Sequence, residues 1–286
     1  MEHAKGDFIY SMDDDDVIMP DGLQILIDHA RKTKADVIIN TKRFRTNNDN
    51  FERLDEISAL EISTAGKKNV VASDLKQRVW EEYVLGYSRA APWSHFYGRD
   101  FLERSELRYP PMAVHDDGEF LIELMCSKGK IVKIEEPFYI WRKRAESITN
   151  STKQNLDGTP SFDGFAKRIR SFLIMMERID EVLSKAMMRE YGEVDWYFID
   201  TVCLRIKDRA LISTVHLNYE VDAQRSWQLI REAIEERYGT KTSMFRRMMY
   251  GYFGEFFTAH KQLQEYLVLR EKMKALKEVV NKVIPY

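Results

Sequence analysis

Apolar positions in the first half of the chain alternate between short runs and helical spacing. Phe8, Ile9, Tyr10 and Met12 predict a short strand. Pro20-Asp21 then opens a stretch in which Leu23, Leu26, Ile27 and Ala30 share one face, predicting a helix from about Asp21 to Lys32. Ala35-Asp36-Val37-Ile38-Ile39-Asn40 reads as a second strand, its apolar centre suited to a sheet covered on both faces. Strand, helix and strand in this order make a βαβ unit. Thr41 to Gly66 is polar, with a hairpin turn expected at Asn47-Asn48-Asp49-Asn50. Ser73 or Asp74 caps a helix to about Leu85, with Leu75, Val79, Tyr83 and Val84 inward. A short strand at Phe96-Tyr97 precedes a helix from near Asp100. Phe120, Leu121, Leu124 and Met125 predict another helix, and Lys130 to Ile134 another strand.

The pattern changes after residue 150. Asn150 to Gly164 is rich in Ser, Thr, Asn, Gly and Pro without apolar periodicity, so a linker is placed at 151–164. It separates an α/β part (1–150) from an all-α part (165–286). Helices are expected over Phe165–Tyr191, Asp195–Ser213 and Ala223–Tyr238, with a broken pair ending in Phe256–Val283. Their Met- and aromatic-rich faces, Met175, Met176, Met187 and Phe253 among them, read first as helical core. Arg246-Arg247 beside Met248, Met249 and Tyr250 keeps a second reading open, a peripheral membrane or partner surface.

Composition narrows the class. The chain has 286 residues, 44% hydrophobic and 31% charged, as in ordinary globular proteins. A formal net charge of −2 gives no sign of a nucleic-acid binder. Cys126 and Cys203 lack metal-ligand spacing and read as buried free thiols, which fits a reducing cytoplasm. No apolar run is long enough to span a bilayer.

Candidate chemistry gathers at three places. Asp13-Asp14-Asp15-Asp16 follows the first strand and precedes the first helix. Adjacent carboxylates repel one another, and a fold that gathers them commonly neutralises them with a cation. At a strand's carboxyl end in an α/β sheet, this suggests a divalent metal and the phosphates it carries; the plain alternative is a solvated acidic turn. Asp116-Asp117 stands before a helix, where the N-terminus favours the ionised form; simple capping is the alternative, and one residue can do both. The basic run Arg142-Lys143-Arg144 follows the aromatic stretch Phe138-Tyr139-Ile140-Trp141.

Together these stretches resemble the inverting family 2 glycosyltransferases of GT-A fold. Ala4-Lys5-Gly6-Asp7-Phe8-Ile9 with Met12-Asp13-Asp14-Asp15-Asp16 is similar to the family's strand and Asp-x-Asp-type motif, which holds the metal bridging a nucleotide-sugar diphosphate. Ala91-Pro92-Trp93-Ser94-His95 is similar to its Pro-Trp segment beside the acceptor, and Asp116-Asp117 to its Glu-Asp pair. Tyr139-Ile140-Trp141-Arg142, followed by Ser147-Ile148-Thr149, is similar to its closing motif. The resemblance implies a metal-dependent enzyme in which Asp13, Asp15 and Asp16 hold Mn²⁺ or Mg²⁺. It implies Asp117 as catalytic base with Asp116 beside it, diphosphate contacts from Arg142 and Arg144, and acceptor contacts from Trp93 and His95. The implied donor is a nucleotide-sugar. The implied acceptor is a glycan or lipid-linked hydroxyl of surface polysaccharide or envelope synthesis, worked on in the cytoplasm or at the membrane's inner face.

The resemblance begins partway into the family pattern, so the nucleotide-binding half is expected to be missing and the chain to be N-terminally truncated. The expected architecture is a partial GT-A-like, Rossmann-like mixed sheet with helices, followed by an all-α domain. The exposed edge of the first strand would be covered by self-association, giving a homo-oligomer, by N-terminal residues, or by another chain. Nucleotide binding would be weak and indifferent to the base. The rival reading is a non-catalytic interaction protein, a remnant whose helical part binds a partner.

Overall fold

The computed structural model describes residues 3–46, 58–61, 69–88, 90–110, 116–142, 157–203 and 221–239, with a few single positions besides. In chain order the strands are Phe8–Tyr10 (β1), Val17–Ile18 (β2), Val37–Asn40 (β3), Lys42–Thr46 (β4), Ser58–Glu61 (β5), His95–Gly98 (β6), Ile131–Ile134 (β7) and Tyr139–Arg142 (β8). They form two four-stranded mixed sheets, ordered β1-β6-β3-β7 and β2-β8-β4-β5. In the first, β6 runs antiparallel to β1 and β3, and β3 lies parallel to β7 with Val37 opposite Ile131. The carboxyl ends of β1, β3 and β7 therefore share one margin. In the second, β8 is parallel to β4 and antiparallel to β2, and β4 pairs antiparallel with β5. The turn expected at Asn47–Asn50, inside this β4–β5 hairpin, lies outside the described residues.

Three segments cross from the first sheet to the second: β1 to β2, β3 to β4, and β7 to β8. The last two are laced together at the crossing. Thr41 donates to the Ile134 carbonyl through both its backbone N–H and Oγ1, each at 3.0 Å, and Asn40 Nδ2 donates to the Glu136 carbonyl at 3.0 Å. The first crossing is the acidic turn.

Helix α1 (Gly22–Thr33) packs Leu26 and Ala30 on a core with Ile38, Phe96, Val132, Ile134 and Phe138. Leu23, expected inward, is 47% exposed, because the helix enters on Gly22 instead. A Cβ at Gly22 would come within 2.6 Å of Ile18 and 2.8 Å of Phe138, so only glycine permits this approach to β2. Asp74 caps α2 (Leu75–Arg78), its carboxylate accepting from Gln77 N at 2.8 Å. The expected single helix then widens into a π-helical segment, Val79–Val84. This segment buries Glu82, which meets Lys133 Nζ at 2.8 Å and accepts from Ser88 Oγ at 2.7 Å.

After α3 (Arg99–Ser105) and α4 (Asp116–Cys126) comes a thirty-residue helix, α5 (Phe162–Tyr191). Ser161 Oγ accepts from Gly164 N at 3.1 Å to start it, and Gly192 ends it at φ 76°. Its Arg178 reaches Glu123 at 2.7 Å and Glu119 at 3.2 Å on α4. Residues 196–203 are again helical. By its contacts the chain divides into two compact units, Met1–Val221 and Asp222–Tyr286. The second contains the helix Ala223–Tyr238, which Asp222 caps and which buries Ile230, Ala233 and Ile234. The C-terminal portion is thus helical where it is described. Arg246, Arg247 and the helix expected at Phe256–Val283 lie outside the described residues, as do 151–154 of the expected linker. No described helix is long and apolar enough to cross a membrane.

Candidate active site

Asp13 to Asp16 form a tight turn at the end of β1, closed by Asp16 N donating to the Asp13 carbonyl at 3.3 Å. Asp13, Asp15 and Asp16 each offer a carboxylate oxygen within 4.8 Å of the others. Strand β8 holds this turn from below. Tyr139 O–H donates to Asp16 Oδ2 at 2.5 Å, and its oxygen accepts from Asp13 N at 3.4 Å. The backbone N–H of Arg142 donates to Asp16 Oδ1 at 2.8 Å, and its Nε donates to the Asp15 carbonyl at 2.7 Å. Asp16 is buried with both oxygens engaged, so it anchors the turn, whereas Asp13 is exposed and Asp15 half-exposed.

The electrostatics follow from this crowding. Partial burial, then the charges of Asp16, Asp15 and Asp14, raise the Asp13 carboxyl to about 6. Burial also raises Asp16, opposed by the bonds from Tyr139 and Arg142. Burial and the bond to Asp16 push the Tyr139 phenol up, keeping it a donor. Concentrated negative charge with several oxygen ligands within reach fits a hard divalent cation such as Mg²⁺ or Mn²⁺.

A stack of rings underlies the turn. Tyr139 lies flat on Trp93, with centroids 4.7 Å apart and planes 9° apart. The buried guanidinium of Arg43 on β4 sits 4.6 Å from the Trp93 ring centroid and 4.5 Å from that of Trp141. Tyr10 O–H donates to the Trp93 carbonyl at 2.8 Å, tying β1 to the same wall. Trp93 and His95, read as acceptor contacts, are 6% and 0% exposed; both belong to the core in this structure. His95 lies on β6 opposite Ile39, with its ring 5.8 Å from that of Tyr97.

The fold therefore brings Asp13, Asp15, Asp16 and Arg142 together, with Trp93 one ring below. Asp117 is placed by other neighbours. It opens α4, its Oδ1 accepting from Gly118 N at 2.8 Å, near Tyr83, whose phenol burial and surrounding groups including Asp117 push up. The side chain of Asp116 and all of Arg144 lie outside what is described. Neither Arg43 nor the anchoring role of Tyr139 is expected from the sequence. Alternation in Lys42-Arg43-Phe44-Arg45 puts both arginines on the face opposite Phe44, so it gives no sign that Arg43 is buried, and Tyr139 is legible only as one ring of an aromatic stretch.

No curated protein matches the chain. Among solved structures, S. aureus TarS 1–349 in complex with UDP-GlcNAc aligns over 85% of this chain and 71% of its own, at 12% identity and a TM-score of 0.43. The same protein in complex with UDP aligns over 85% and 70%, at 13% identity and a TM-score of 0.37. Residues 1–89, which carry the acidic turn, α1 and Arg43, match the family model of Glycosyl transferase family 2.

Proposed function

We propose that this chain transfers a sugar from a nucleotide-sugar donor to an acceptor hydroxyl, with inversion at the anomeric carbon. The observation that supports it most is the meeting of Asp13, Asp15 and Asp16, which lie in the stretch matched by the family 2 model, with Arg142 from β8 at the crossing between the sheets. Asp13 and Asp15 would hold a Mn²⁺ or Mg²⁺, and Asp16 would fix the turn that presents them. Bound there, the cation supplies Lewis-acid polarisation of the donor's diphosphate. Arg142 offers a guanidinium whose geometry suits a diphosphate oxygen pair, and Arg144, two residues on in the sequence, is proposed for the same role.

Asp117 takes the role of general base in this reading, with Asp116 the neighbouring carboxylate. It accepts the proton of the acceptor hydroxyl as that oxygen bonds to the anomeric carbon and the nucleoside diphosphate departs from the opposite face. Being buried, Trp93 and His95 would serve the acceptor side as its supporting wall. The product proposed is a surface polysaccharide or envelope glycan built on a glycan or lipid-linked acceptor, and the α/β part (1–150) is the unit assigned to the chemistry.

The test is release of nucleoside diphosphate from a panel of nucleotide-sugars by the full chain with Mn²⁺ and candidate acceptors. Asp117→Asn should lower turnover by about 10²–10⁴-fold, the usual worth of a positioned base, while donor affinity stays unchanged. Undiminished turnover in Asp117→Asn would refute its role. A wild-type chain that binds donor and Mn²⁺ yet turns over no substrate would favour the rival reading as an interaction protein.

A further inference from the structure

The strands β3 and β7 end at the margin that bears the acidic turn, so their starting ends mark the opposite margin of the first sheet. An open cleft of about 390 Å³ lies there, between the start of α2, the turn before β7 and the end of α5. Four cationic side chains line it, Arg78, Lys128, Lys130 and Arg189, against one carboxylate, Glu190. The excess is three positive charges in one concavity.

Arg78 is what makes this more than a basic surface. Its side chain is part of the cleft lining, yet the residue is only 7% exposed. Its Nε is sealed from solvent without a hydrogen-bond partner, and among the described residues the charges of Glu190 and Asp74 act on the guanidinium without an ion pair to either. A cation held in that condition is unfavourable unless something supplies its counter-charge. Burial indeed pulls the guanidinium below the usual arginine value.

The surrounding groups are held in place. Arg189 Nη2 donates to the Cys126 carbonyl at 2.6 Å, Lys130 Nζ to the Thr33 carbonyl at 2.6 Å, and Lys128 Nζ lies 3.2 Å from Glu190. The turn that carries both lysines is pinned at Gly129, where a Cβ would come within 2.5 Å of the Phe101 ring. Cys126 lines the same wall, but burial pushes its thiol up to about 12, so the cleft offers cations and no thiolate nucleophile.

We propose that this cleft binds a phosphoryl anion, a pyrophosphate or phosphomonoester group, with the Arg78 guanidinium at its base. Lys128, Lys130 and Arg189 supply the surrounding charge. Three excess positive charges match a multiply charged anion better than a single carboxylate, and a planar guanidinium meets two phosphoryl oxygens at once. The site is separate from the acidic turn and needs no metal.

Calorimetric titration of the full chain with pyrophosphate and with inorganic phosphate, in EDTA, tests this. EDTA removes any cation-mediated binding at the acidic turn, and the cleft variants separate this site from the diphosphate contact assigned to Arg142, so the result is distinguishable from the function proposed above. Saturable binding is expected, weakened by added salt and reduced about tenfold or more in Arg78→Met, the loss expected for a charge-assisted contact. Arg78→Met should also melt at a higher temperature than wild type without anion, because it removes an unpaired buried charge; a structural arginine would show the reverse. If Arg78→Met does not fold, that itself speaks for a structural arginine and against the proposal. The double variant Lys128→Gln/Lys130→Gln, both on the surface, then gives an independent reading, with weakened binding expected. Absence of saturable binding, or unchanged affinity in Arg78→Met or in the double variant, would overturn the site.

Discussion

Asp16 and Tyr139 show how a single pair sets the character of the acidic turn. Four successive aspartates would spread apart in water, yet here one of them is drawn under the turn and bonded through both oxygens. The others are thereby presented outward at close range. Tyr139→Phe keeps the ring stacked on Trp93 but removes both bonds made by the hydroxyl. Outer groups that orient metal ligands are commonly worth about 10–100-fold in metal affinity, and a loss of that order is expected for Mn²⁺ in Tyr139→Phe. Calorimetry checks it, and an unchanged affinity would mean that Asp16 needs no anchor. The aspartate run was plain in the sequence. The anchor was not, because nothing in a linear pattern says that a tyrosine 123 positions away will lie beneath it.

Among elements, the π-helical segment Val79–Val84 departs most from expectation. Its apolar spacing reads as one helix from Ser73 or Asp74 to Leu85, and the cap at Asp74 is where the sequence places it. The widened turn buries a charge pair that spacing does not reveal: Glu82 and Lys133 are 1% and 5% exposed at their side chains. Removing one partner of such a pair typically costs about 3–5 kcal/mol, because the other charge is left buried. Lys133→Met should therefore destabilise the chain by about that amount in denaturant unfolding, and adding Glu82→Gln should recover part of the loss. Additive losses would show that the two residues act independently. The same limit explains Trp93 and His95. A Pro-Trp segment before a short strand was legible, but whether its rings face a ligand or the core depends on β3, β4 and β8 closing over it, which are distant in sequence.

At the scale of the molecule, three segments run from the first mixed sheet to the second, and the acidic turn is one of them. The strand–helix–strand start, the strand at Ile131–Ile134 and the helical C-terminal portion follow from apolar periodicity. The split into two sheets does not, since it depends on which short strands pair across gaps of many residues. Cation binding is proposed at the first crossing, and calorimetric titration of Mn²⁺ into the full chain tests that most directly. Saturable binding is expected, weakened strongly in Asp15→Ala while the melting temperature changes little. Identical isotherms for wild type and Asp15→Ala would contradict it.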